Sequence, residues 1–126
     1  MPFTYRYAAE DPPAPFVLVV LTRLDGTEAT GDLPVKVDTG ADQTVIPLAL
    51  AEQLALREVA RIRFGGLGGH ETELPIYEVR LIVRDLAPIT VEVAASEGEP
   101  HVLLGRDVLN RYRIVLDGPK GKLEIG

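Results

Sequence analysis

The chain has 126 residues, of which 46% are hydrophobic, so it suits one domain with a real core and leaves little room for two. Its net charge is −6 with no basic stripe, which argues against a nucleic-acid backbone or an anionic membrane surface as partner. The absence of cysteine excludes disulfides, thiolate zinc sites and cysteine nucleophiles.

Residues 1–15 hold the proline-rich run PPAP and read as an N-terminal arm, with the folded domain expected over 16–126. The longest apolar run, Phe16 to Leu21, is far short of the ~20 residues a membrane helix needs, and no basic segment precedes it. A soluble, cytoplasmic protein is therefore expected. FVLVVLTRL reads as a strand, Asp25-Gly26 as a hairpin turn, and TEATGDLPVKVD as one or two returning strands. Pro47 opens the helical pattern IPLALAEQLAL, in which Leu48, Leu50, Leu54 and Leu56 form an apolar stripe. EVARIRF and HETELPIYEVRLIV flank GGLGG and predict a long hairpin with a glycine tip. ITVEVAA alternates with period two, VLLGRDVLNRY passes from a buried strand into a short helix, and RIVLDGPKGKLEIG closes as a hairpin about Asp117-Gly118-Pro119. The sum is a mostly β fold with one or two short helices and no βαβ alternation.

The chemistry concentrates in Val35-Lys36-Val37-Asp38-Thr39-Gly40-Ala41-Asp42. A strand delivers a carboxylate into a tight turn, Thr39 offers a hydroxyl to lock it, and Gly40 permits another backbone to approach. Asp, Thr and Gly are ordinary turn residues, but this turn is flanked by VKV and TVIP and so is anchored in a core. Leu103-Leu104-Gly105, followed by Arg106-Asp107, lies far downstream, and GGLGG sits between. The glycine spacing fails the G-x-G-x-x-G pattern, and no Gly-Lys-Ser/Thr follows, so a phosphate loop is rejected. His70 and His101 lack a second histidine at i+3 or i+4, and His70-Glu71 does not continue as H-E-x-x-H; no metal site is expected. Glu92, Glu97 and Glu99 read as a solvated acidic surface.

In this order, DTGAD, RFGGLGGH and PHVLLGRDVL resemble the catalytic loop, the flap and the Gly-Arg segment of the retropepsins, the single-domain aspartic proteases of retroviruses and their cellular and bacterial relatives. The C-terminal RIVLDGPKGKLEIG looks more like the cellular, DNA-damage-inducible branch than the viral enzymes. The resemblance implies an all-β, retropepsin-like half-barrel acting as a two-fold homodimer. Two carboxylates would share one proton, because like charges that close cannot both ionise. The ionised member would activate water while the protonated one polarises the scissile carbonyl of an extended polypeptide. Only one DTG is present, so the second carboxylate would be Asp38 of another chain.

The resemblance also implies supporting roles. Thr39, Gly40, Asp42, Gly105 and Arg106 would hold the catalytic loop, with Asp42 and Arg106 as a pair. Gly40, Ala41, Asp42, Val45, Gly66, Leu67, Gly68, Pro100, His101 and Leu103 would contact substrate, with Leu67 at the flap tip and an apolar preference on both sides of the cut. No cofactor is implied. The chain departs from the viral pattern in its longer arm, in His70 where a flap aromatic is often found, and in Asp107 where some viral members carry asparagine. The same fold could also serve as a catalytically inactive peptide-binding or dimerisation module.

Overall fold

The structure is a computed structural model that describes residues 2–4, 11–65 and 71–126. Its strands are β1 (Pro2–Thr4), β2 (Phe16–Thr22), β3 (Leu33–Val37), β4 (Val45–Pro47), β5 (Arg57–Gly65), β6 (Glu71–Val83), β7 (Ile89–Ser96), β8 (Val102–Leu104), β9 (Ile114–Asp117) and β10 (Lys122–Ile125), and burial alternates with period two along β2, β8 and β10, where branched residues face the core. Two short helices, α1 (Leu48–Gln53) and α2 (Arg106–Leu109), interrupt them.

Seven strands form one sheet in the order β2-β3-β8-β4-β7-β6-β5. An additional antiparallel pairing of β2 with β6, from Val19↔Val83 to Thr22↔Arg80, closes six of them into a ring and leaves β5 outside. The ring encloses a core of Val19, Leu21, Val35, Ile46, Val79, Leu81, Val93 and Leu104, all buried, and so removes most of the edge that an open sheet would expose. No helix alternates with the strands, yet β3–β8 and β4–β7 pair in parallel. The expectation of a mostly β fold therefore holds, with a mixed sheet in place of simple hairpins.

The local signals land close to their expected places. Gly26 takes φ +75 in the first hairpin turn. There the N–H and hydroxyl of Thr27 donate to Asp25 Oδ1 at 3.0 and 2.7 Å, which holds that carboxyl below its ordinary range. β9 and β10 form the expected C-terminal hairpin, and β5 and β6 pair from Arg57↔Glu78 to Gly65↔Glu71. The first residues of the arm are more engaged than an extended linker, since β1 adds to β10 with Phe3 opposite Leu123. Pro15 carbonyl also accepts the N–H of Val37 at 2.9 Å.

Helix α1 is shorter than the leucine pattern suggests. Pro47 is its N-cap and the final residue of β4, and the helix stops at Gln53. There Ala55 N–H donates to Glu52 and Leu56 N–H to Ala51, a Schellman closure that tucks Leu56 into the core. Ala55 pays for this closure with φ +51, a conformation that favours glycine. Ala55→Gly should therefore raise stability by about 1 kcal/mol, read as a higher urea midpoint at unchanged m-value.

Candidate active site

Strand β3 delivers Asp38. The ladder outlasts the strand by one residue, since Asp38 N–H donates to Leu104 carbonyl at 3.0 Å. The chain then turns sharply. Gly40 N–H donates to Asp38 Oδ1 at 3.1 Å, and Ala41 N–H to Asp38 carbonyl at 3.2 Å. This side-chain-to-backbone turn fixes the direction of the carboxylate, which is half-buried while Thr39 and Gly40 stand exposed. A Cβ on Gly40 would sit 3.3 Å from Asp38 Oδ1, so the glycine also keeps the carboxylate uncrowded.

The loop is held from α2. Arg106 N–H donates to Ala41 carbonyl at 2.9 Å, and its guanidinium donates through Nη1 to Thr39 carbonyl at 2.7 Å and through Nη2 to Asp42. Asp42 is largely exposed, so the ion pair alone adds little, and the contact to Thr39 carbonyl is the stronger constraint on loop shape.

Beneath this loop lies a clamp that sequence reasoning did not find. Thr44 is a fully buried polar residue. Its hydroxyl donates to Asp107 Oδ1 at 2.7 Å and accepts Gly105 N–H at 3.0 Å, while its own N–H donates to Asp107 Oδ2 at 3.0 Å. Asp107 Oδ1 also accepts Val108 N–H at 2.9 Å. Every side-chain oxygen of the pair thus has a partner, as burial of the Thr44 hydroxyl requires. Gly105 is buried so tightly that a Cβ would lie 2.6 Å from the carbonyl carbon of Gln43. Asp107 entered the sequence reading as a replacement for asparagine. Both carboxylate oxygens accept, Oδ1 from Thr44 and Val108 and Oδ2 from Thr44 N–H, so an asparagine here would set its NH2, a donor, against that buried N–H.

The remaining expected residues fall into two groups. Val45 and Leu103 are register partners on β4 and β8 and both are half-buried. Pro100 is exposed, and His101 is half-buried with its ring edge-on to Phe16, centroids 5.7 Å apart. Gly66, Leu67, Gly68 and His70 lie outside the described residues. Among the described residues, no group of three His, Cys, Asp or Glu is placed to hold a metal ion, and no helix is long and apolar enough to cross a membrane.

A closed β fold with one DTG loop braced by a Gly-Arg helix defines a retropepsin-like aspartic protease unit. Residues 28–111 match the family described as "gag-polyprotein putative aspartyl protease", and the chain belongs to that family. DNA damage-inducible protein 1 of Kluyveromyces lactis is 32% identical over an alignment 133 positions long, which covers 95% of this chain and 30% of that protein's length. EIAV protease, solved with the inhibitor HBY-793, superposes with a TM-score of 0.58 at 26% identity, covering 84% of this chain and 92% of that one. A retropepsin-like aspartic protease from Rickettsia conorii gives 0.61 at 14% identity over 98% and 86%, a likeness of fold alone.

Two substitutions test the clamp. Thr44→Val should cost about 2–4 kcal/mol, because it orphans Gly105 N–H and removes a donor from Asp107. Gly105→Ala should cost about 3 kcal/mol, since backbone, not a flexible side chain, blocks the added methyl. Chemical denaturation of each variant reads both. Asp107→Asn should also be destabilising, by about 1–3 kcal/mol, because its NH2 meets the buried Thr44 N–H.

Proposed function

We propose that this chain is an aspartic endopeptidase whose active site is completed by a second copy of itself. The observation that carries the reading is the single Asp38, oriented by its own turn on the open face of a braced loop, in a chain with no second DTG. Membership of an aspartic protease family supports it. In a two-fold dimer the Asp38 carboxylates of both chains would meet and share one proton. The ionised one takes a proton from water, and the protonated one donates to the scissile carbonyl. Neither step calls for a metal or organic cofactor.

The supporting residues take the roles that the retropepsin resemblance implies. Thr39, exposed at the turn, would present its hydroxyl across the dimer axis. Gly40, Ala41 and Asp42 would meet the backbone of an extended polypeptide, bound as an added strand. Val45 and Leu103 offer apolar floor, Pro100 and His101 the loop beside it, and Gly66, Leu67 and Gly68 the lid. A cytoplasmic, soluble homodimer is the corresponding cellular form.

Asp38→Asn is the direct test. The amide oxygen can still accept Gly40 N–H, so the fold should survive while cleavage of an unfolded protein substrate falls to background. Residual turnover by the folded variant would sink the mechanism. Dimer dependence is tested separately, by specific activity that falls on dilution below the dimer dissociation constant. Thr39→Ala should shift that fall to higher concentration by weakening the dimer about 1–3 kcal/mol.

A further inference from the structure

The strand that carries Asp38 also carries a cation. Along β3, Val35 and Val37 turn into the core, whereas Lys36 and Asp38 take the opposite, half-buried face. Residues i and i+2 of a strand share a face with Cα atoms about 7 Å apart. Lys36 is in register with Leu103 of β8, and Leu103 with Val45 of β4. On its other side Lys36 is in register with Phe16 of β2, the residue whose ring meets His101. The floor beside Asp38 is thus a row of two characters. Leu103 and Val45 make one half apolar, and Lys36 with His101 gives the other half an ammonium and an imidazole.

From this juxtaposition we propose that Lys36 makes the enzyme select a carboxylate side chain, Asp or Glu, within two residues of the scissile bond, with His101 as a second donor. The inference rests on the endopeptidase reading and sharpens its apolar preference: Val45 and Leu103 keep apolar side chains, and the Lys36 side takes an acid. A lysine lays its aliphatic stem along apolar floor and presents three donors at the tip. A bound substrate strand covers that floor and expels water, which strengthens the pairing of ammonium with carboxylate. In a two-fold dimer, two Lys36 residues would lie two positions along the strand from a dyad that carries a single shared negative charge. Arg106 answers the charge of the nearby Asp42. Lys36 and His101 each make further contacts, so a substrate carboxylate competes with groups already there and must gain from its fixed position.

Matched peptides differing only by Glu or Gln near the cut, drawn from cleavage of a peptide library, test the proposal on the wild-type protein. The Glu member should show roughly tenfold higher kcat/KM, the size of a partly desolvated charge-assisted hydrogen bond. Lys36→Met should abolish that ratio while leaving the apolar preference elsewhere intact, and Lys36→Arg should retain much of it. Equal cleavage of the Glu and Gln peptides by wild type would overturn the proposal without any variant. Persistence of the ratio in Lys36→Met would overturn it as well. A wild-type protein that cuts but does not discriminate removes only this inference; one that cuts no peptide removes the endopeptidase reading and this inference together.

Discussion

The hydroxyl of Thr44 is the contact on which the candidate site depends. It lies at the meeting point of three segments: the loop after Asp38, the end of β8 and the start of α2. A buried hydroxyl costs stability unless both its donor and its acceptor are used. Here both are used, and the partners come from residues more than sixty positions downstream. The clamp therefore converts a local turn into a tertiary one. Arg106, fixed by its place directly after Gly105, can then reach Thr39 carbonyl and Asp42 from below.

The closed ring of strands explains why such a clamp can be exact in position. Catalytic loops gain accuracy from a rigid scaffold. β3 is flanked on one side by β2 and on the other by β8, so Asp38 leaves the sheet from a central strand. Its last ladder bond, to Leu104, also fixes Gly105 and Arg106 relative to the DTG turn. The parallel β3–β8 pairing is what brings DTG and Gly-Arg together, and the parallel β4–β7 pairing brings Val45 alongside Ala94. Fold and site are in this sense one arrangement, because the β3–β8 ladder is at once part of the barrel wall and what sets the spacing of the loop.

What could be read from the sequence was what local chemistry specifies. Asp25-Gly26, the glycine tip between long strands and the Asp117-Gly118-Pro119 turn all announce hairpins through residues that tolerate tight backbones. The DTGAD loop stood out because apolar residues bracket it. What escaped was long-range or depended on facing. No residue in VIP or VLL signals that these strands pair in parallel with β7 and β3. Thr44 entered only as the first residue of the flank TVIP, since its hydroxyl's role depends on Gly105 and Asp107 far along the chain. The helix continued in the leucine pattern beyond Gln53 because Ala55 gives no sign of a left-handed cap where glycine would. Lys36 was hidden by its neighbours: VKV reads as an apolar flank until alternation is applied to it residue by residue.

That alternation has a consequence for how the strand is constrained. Val35 and Val37 serve the core on one face of β3, and Lys36 and Asp38 take the half-buried face on the other. A slip of one residue in register would exchange the two sets, burying a lysine and an aspartate and exposing two valines. Burying either charge unpaired costs several kcal/mol, and losing two valines from the core costs about as much again. The register is therefore strongly specified by the same residues that would meet substrate. Polar side chains on the floor do not weaken this strand's placement; they add to it, because every alternative pairing has to bury them.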